Sequence, residues 1–102
     1  IIGAGPVGLA AGAQALERGL TPIIFEQGVQ VAHAIRQWQH VKMFSPWEFN
    51  IDTAAEKLLN DTAWVRPDND ELPTGGELVE RYIEPLGTQT ILKQYIKLSA
   101  KV

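Results

Sequence analysis

The first twelve residues, IIGAGPVGLAAG, restrict the fold more than any other stretch of the chain. Ile1 and Ile2 are β-branched and apolar, and they run straight into Gly3, Gly5 and Gly8, with Gly12 following. That is a strand end, a tight glycine turn and a helix start. Each glycine meets a separate physical demand. Gly3 permits the sharp exit from the strand. Gly5 lets a pyrophosphate approach the backbone, and Gly8 lets the helix lie close on the strand. Pro6 stands where a first helical residue would, with φ preset and no N–H to lose. Such a helix aims free N–H groups and the positive end of its dipole at phosphates.

The pattern continues in the same sense. From Pro6 to about Arg18, Gly8 and Gly12 share one helical face, and Leu9, Ala13 and Leu16 form an apolar stripe. Gly19 is a stop signal. After Pro22, the run Ile23, Ile24, Phe25 reads as a buried parallel strand, and it ends in an acid, Glu26. A carboxylate at that spacing accepts two hydrogen bonds from a ribose diol and repels a 2′-phosphate. The blander alternative is a glycine-rich turn followed by an exposed glutamate.

Residues 29–73 form an irregular excursion. VAHAIRQW has the length of about two helical turns, VKMF reads as a short extended piece, and SPWEFN as loop. Asp52 and Thr53 open a short helix, with Thr53 and Glu56 at capping-box spacing. RPDNDELP is a polar surface loop. Thr74 and Glu77 repeat the capping-box spacing, and Leu78, Val79, Tyr82, Ile83 and Leu86 follow on one stripe, with Pro85 and Gly87 marking its end. From Tyr95 to Val102 apolar and polar residues alternate, as in a strand. The fold class expected is α/β, a partial Rossmann-like three-layer domain with parallel strands near 1–2, 22–26 and 95–102 in the order 3-2-1.

Composition narrows the function. The chain has 102 residues, 45% of them apolar and 21% charged, and a net charge of −3. Without a lysine or arginine run, neither nucleic acid nor an anionic membrane surface is an expected partner. Without cysteine, these residues offer no disulfide, thiolate metal site or cysteine nucleophile. No apolar run approaches the roughly 18 residues of a membrane helix, and no basic-then-apolar signal peptide is visible. These features favour a cytoplasmic protein. With only two strand residues before the glycine turn, the chain reads as the N-terminal piece of a longer protein, a complete small domain being the alternative.

The spacing Gly3, Gly5, Gly8, Gly12, Gly19, Glu26 resembles the N-terminal ADP-binding fingerprint of FAD-dependent oxidoreductases. It is most similar to the branch holding flavin-containing monooxygenases and pyridine-nucleotide-dependent flavoprotein reductases, through GAGPVGLAA followed by FE. FSPW resembles an FAD-proximal loop, and LPTGGELVERYIEPL the helix before the third strand. The resemblance implies that residues 1–102 are the N-terminal part of an FAD/NAD(P)-binding domain. It implies FAD as cofactor, and NAD(P)H as reductant of the parent protein. Gly3, Ala4, Gly5, Pro6, Val7 and Gly8 would hold the pyrophosphate, and Glu26 with Gln27 the adenosine ribose. The Gly-Gly pair that flavin monooxygenases carry before a tryptophan is absent from VAHAIRQW. The cysteine pair of disulfide reductases is absent too, which disfavours dithiol chemistry.

Other side chains stay open between two readings. Arg36 is a candidate for a bidentate cation on the pyrophosphate or a solvated arginine. Trp38 and Trp47 are candidates to wall the flavin ring or ordinary core tryptophans. Ser45 is a candidate flavin hydrogen-bond donor or a turn serine before Pro46. His33 and His40 have no acid or cysteine at ligand spacing, so no metal site is expected. No acid–base pair or activated nucleophile stands out, and the cofactor carries the chemistry in such enzymes. An NAD-binding dehydrogenase domain and a non-catalytic nucleotide-binding module are the competing functions.

Overall fold

The computed structural model describes residues 1–100. Its first helix, α1, spans Pro6–Glu17, with Pro6 in the first turn and Gly5 as the N-terminal cap. Gly19 ends it with φ at 76°, a conformation that favours glycine. The Leu20 N–H donates to the Ala15 carbonyl at 2.8 Å and the Gly19 N–H to that of Leu16 at 3.1 Å. These are the paired bonds of a Schellman motif, which satisfy the last carbonyls of the helix.

Two short strands, β1 (Ile24–Phe25) and β2 (Ile96–Lys97), pair in parallel, Ile24 opposite Ile96 and Phe25 opposite Lys97. On the other edge of β1, Ile2 makes a single parallel bridge to Phe25. The Phe25 N–H donates to the Ile1 carbonyl at 2.8 Å, and the Gly3 N–H to the Phe25 carbonyl at 2.6 Å. The sheet therefore has two strands, which corrects the expected three in the order 3-2-1. Two residues before a glycine turn make one bridge and no ladder. The strand expected over 95–102 contracts because Tyr95 belongs to a 3₁₀ turn and Ser99 bends the chain at φ 53°. Its last two positions, 101 and 102, lie outside the described residues.

Ile24 sends its side chain under α1. A Cβ on Gly12 would meet Ile24 Cδ1 at 2.8 Å and Leu92 Cδ2 at 3.1 Å, so a side chain there would have to displace the tips of two buried core residues.

The excursion is more ordered than its composition implies. It holds α2 (His33–Arg36), α3 (Trp47–Asn50) and α4 (Thr53–Asn60). VAHAIRQW gives one helical turn rather than two, and SPWEFN, expected as loop, contains α3. Its two limbs are zipped by backbone bonds, Met43 N–H to Pro73 O at 2.7 Å, Trp47 N–H to Glu71 O at 2.9 Å and Gly75 N–H to Val41 O at 2.8 Å. The cap of α4 is Asp52, which accepts from Ala55 N–H at 2.9 Å, and not Thr53. α4 packs on α1 and reaches the later helical turns at Glu84–Gln89.

The final helical run is α5 (Gly75–Leu78), a π-helical segment (Val79–Ile83) and α6 (Glu84–Gln89), followed by the 3₁₀ turn Ile91–Tyr95. Thr74 and Glu77 form the expected capping box, with bonds of 3.1 and 3.0 Å. Thr74→Ala is expected to lower stability by about 1 kcal/mol in chemical denaturation; an unchanged midpoint would show the cap to be redundant. Pro85 does not stop the run, because the preceding segment is already wound as a π-helix. A proline withholds one N–H from the carbonyl four residues back. That carbonyl is Arg81's, and it accepts the Trp64 indole N–H at 2.6 Å instead. Leu78, Val79, Tyr82, Ile83 and Leu86 are all buried, joining Leu9, Ile24 and Leu92 in the core.

Candidate functional site

Three chain segments converge where β1 ends. The glycine turn arrives from Ile2, with Gly3 at φ 93°. Glu26 leaves β1, and the backbone after β2 closes the group: Glu26 N–H donates to Lys97 O at 2.9 Å, and Ala100 N–H to Glu26 O at 2.8 Å. Gly8 sits directly over the turn. A Cβ built on it would lie 1.8 Å from the Gly3 carbonyl oxygen, which no side chain can do. At Gly3 and Gly5, by contrast, a Cβ would meet nothing within 4 Å. The space in front of the turn is open, and no side chain caps α1. The N–H groups of its first turn are therefore free for an anion.

Glu26 is buried, at 8% exposure, with no cation paired to it among the described residues. Its charge is met by the backbone. Oε1 accepts the Ala4 N–H at 2.9 Å and Oε2 the Gly28 N–H at 2.7 Å. A carboxylate has about four lone-pair sites, so two remain for a ligand. Ala4 is itself fixed on its other side, its carbonyl accepting from Ala32 N–H at 2.9 Å. Gly28 is glycine because His33 lies on it, within 2.4 Å of where a Cβ would stand. A cavity of about 360 Å³ opens at this junction, lined by Ile2, Gly3, Phe25, Glu26, Gln27, Ala34 and Ala100. Its lining brings the Glu26 carboxylate beside the open face of the turn at Gly3.

The expected site residues divide between this junction and elsewhere. Gly3, Ala4, Gly5, Pro6, Val7, Gly8, Glu26 and Gln27 come together in the turn and its cavity, Val7 and Gln27 being exposed. Arg36 donates to Val31 O at 3.1 Å and pairs with Glu84 at 3.2 Å, in the walls of two other cavities. Trp38 packs its ring over Gly75. Ser45 is exposed, its carbonyl accepting from Asn50 Nδ2 at 2.7 Å. Trp47 is buried, with the Arg81 guanidinium 5.6 Å from its ring centre.

Asp52 and Tyr82 emerge only from the structure. Asp52 caps α4, accepts Gln14 Nε2–H at 3.2 Å, and donates its backbone N–H to the Tyr82 hydroxyl at 3.2 Å. Burial pushes the Tyr82 hydroxyl pKa above its ordinary value. The capping-box pattern drew attention to Thr53, and the apolar stripe cast Tyr82 as core. Among the described residues no cluster of acids and histidines could hold a metal, and no helix is long and apolar enough to cross a membrane.

Comparison with known proteins follows the same lines. Residues 1–92 match the family model described as pyridine nucleotide-disulphide oxidoreductase. No curated protein matches the chain in sequence. Among solved structures it is similar to oxidized steroid monooxygenase bound to NADP, with TM-score 0.70 and 21% identity over 96% of this chain and 18% of that one. It is similar also to OTEMO in complex with FAD and NADP, with TM-score 0.69 and 16% identity over 99% of this chain and 19% of that one. The FAD-bound form of OTEMO gives 0.68 and 15%, over 99% and 18%. The chain thus spans about a fifth of the length of these structures, and the likeness establishes a Rossmann-like fold.

Proposed function

We propose, because the chain belongs to the pyridine nucleotide-disulphide oxidoreductase family, that it is the N-terminal FAD-binding portion of an FAD-dependent oxidoreductase reduced by NAD(P)H. Residues 1–102 are then the first part of an FAD/NAD(P)-binding domain, with 29–73 as an excursion before the crossover helix. The observation that carries this reading is the junction of the glycine turn, the uncapped start of α1 and the buried Glu26.

The residues fit the ADP half of FAD. The open space at Gly3 and Gly5 admits phosphates against the backbone. The first turn of α1 supplies N–H donors to their charge. Glu26 faces a cavity with free acceptor capacity for ribose hydroxyls. The two ribose oxygens and the pyrophosphate would be held at once, which orients the cofactor before any reaction. Bound FAD supplies hydride and electron transfer; these residues bind and aim it. The similar monooxygenase structures are bound to NADP and to FAD with NADP, which supports the same cofactors here.

Heat-denaturing the purified protein and identifying the released nucleotide tests the reading. FAD is expected. Release of NAD would reassign the chain to a dehydrogenase domain, and a full-length parent protein that releases no nucleotide, even after FAD is supplied, would overturn the proposal. In the full-length parent protein, bound FAD that neither NADH nor NADPH bleaches would make this a non-catalytic nucleotide module.

A further inference from the structure

A second cavity, about 410 Å³, opens beside the first turn of α1. Pro6, Val7 and Ala10 form one wall, and Phe49, Asp52 and Tyr82 stand opposite. The two cavities flank the glycine turn, one reaching Gly3 and the other starting at Pro6. A ligand whose phosphates lie on that turn therefore extends its adenosine to the Glu26 side and its remaining half to this side.

Tyr82 brings specific chemistry to the second cavity. It is 1% exposed and sits in the π-helical segment, a kind of winding that recurs at functional sites. Its hydroxyl oxygen accepts the Asp52 N–H. A phenol also has one proton to donate, and among the described residues none accepts it. A phenol holds that proton at neutral pH, and burial raises its pKa further. Phe49, 74% exposed, offers an aromatic face at the rim, with Val7, 83% exposed, across from it.

We propose that Tyr82 is a binding residue for the non-adenosine half of the dinucleotide, donating its hydroxyl proton to an oxygen or nitrogen of that half while Phe49 and Val7 flank its apolar surface. The proposal rests on the dinucleotide reading above. It is tested by titrating the purified protein and its Tyr82→Phe variant with FAD and, separately, with ADP. ADP reaches only the turn and Glu26. Loss of one neutral hydrogen bond should weaken FAD about 3- to 10-fold and leave ADP within about twofold. Equal weakening of both ligands would reduce Tyr82 to structural support, and no change in FAD affinity would equally overturn the proposal. Should the variant fail to fold, Phe49→Ala at its exposed position carries the same expectation, a selective loss of FAD, and an unchanged FAD affinity overturns it. Wild-type protein that binds neither ligand would overturn the dinucleotide reading itself, a result distinct from a silent Tyr82→Phe.

Discussion

Gly8→Ala should fail to fold normally, while Gly5→Ala should fold and lose its nucleotide. The two glycines stand three residues apart in one motif, yet their surroundings differ completely. The added methyl at Gly8 would lie 1.8 Å from a backbone oxygen of Gly3. A backbone atom cannot rotate away as a side chain can, so either α1 lifts off the sheet or the turn opens. Either movement strips cover from Leu9 and Ile24, both fully buried. Overpacking typically costs 1–3 kcal/mol, and a backbone clash belongs at the top, about 3 kcal/mol. At Gly5 the methyl would meet no protein atom within 4 Å, and the backbone there is extended at φ −92°. Alanine tolerates that conformation but is a poorer N-cap than glycine, so stability should fall by no more than about 1 kcal/mol. The methyl would instead fill the open space proposed for the phosphates. Thermal unfolding and ADP titration of both variants separate the roles. Loss of ADP binding at Gly5 with a stability loss well below that of Gly8→Ala is the decisive outcome; an ADP affinity equal to wild type would place the phosphates elsewhere.

That contrast also shows where sequence reading succeeds. Gly3, Gly8, Glu26, Thr74 and Glu77 were legible because their partners are near in sequence or because the spacing itself is the constraint. The stripe from Leu78 to Leu86 was legible for the same reason. The excursion was not. The limbs 41–47 and 71–75 hold each other by backbone bonds that no side-chain pattern encodes. Asp52 outcompeted Thr53 as the cap because its carboxylate also engages Gln14 from α1. Pro85 read as a stop because its missing N–H is a local fact. The Trp64 indole that satisfies the stranded Arg81 carbonyl comes from 17 residues away. The strand expected from Tyr95 onward contracted to Ile96–Lys97, because alternation does not encode the 3₁₀ turn that takes Tyr95 or the bend at Ser99.

Glu26 was legible as an acid at the strand end, and the structure gives it a second task. Both of its oxygens are already bonded, to Ala4 N–H in the glycine turn and Gly28 N–H beyond β1. It therefore clasps the turn before any ribose arrives. Glu26→Gln makes the point testable, because the amide keeps the size and loses one acceptor. Its NH₂ group must then face one of the two backbone N–H groups, donor against donor. A hydrogen bond to a charged group contributes about 1.5–3 kcal/mol, and a buried donor left without a partner costs about 1–3 kcal/mol. The expected loss in the nucleotide-free protein is about 3 kcal/mol, read by chemical denaturation. Glu26→Ala should cost no more, because the neighbouring cavity admits water to the two exposed donors. Both variants should also lose affinity for ADP, alanine having no side-chain acceptor for the ribose and glutamine one oxygen in place of two. If Glu26 served the ribose alone, the nucleotide-free stabilities of all three proteins would coincide and only the ADP affinities would differ. A gap between Gln and wild type without ligand assigns the carboxylate to the architecture of the turn as well as to its occupant.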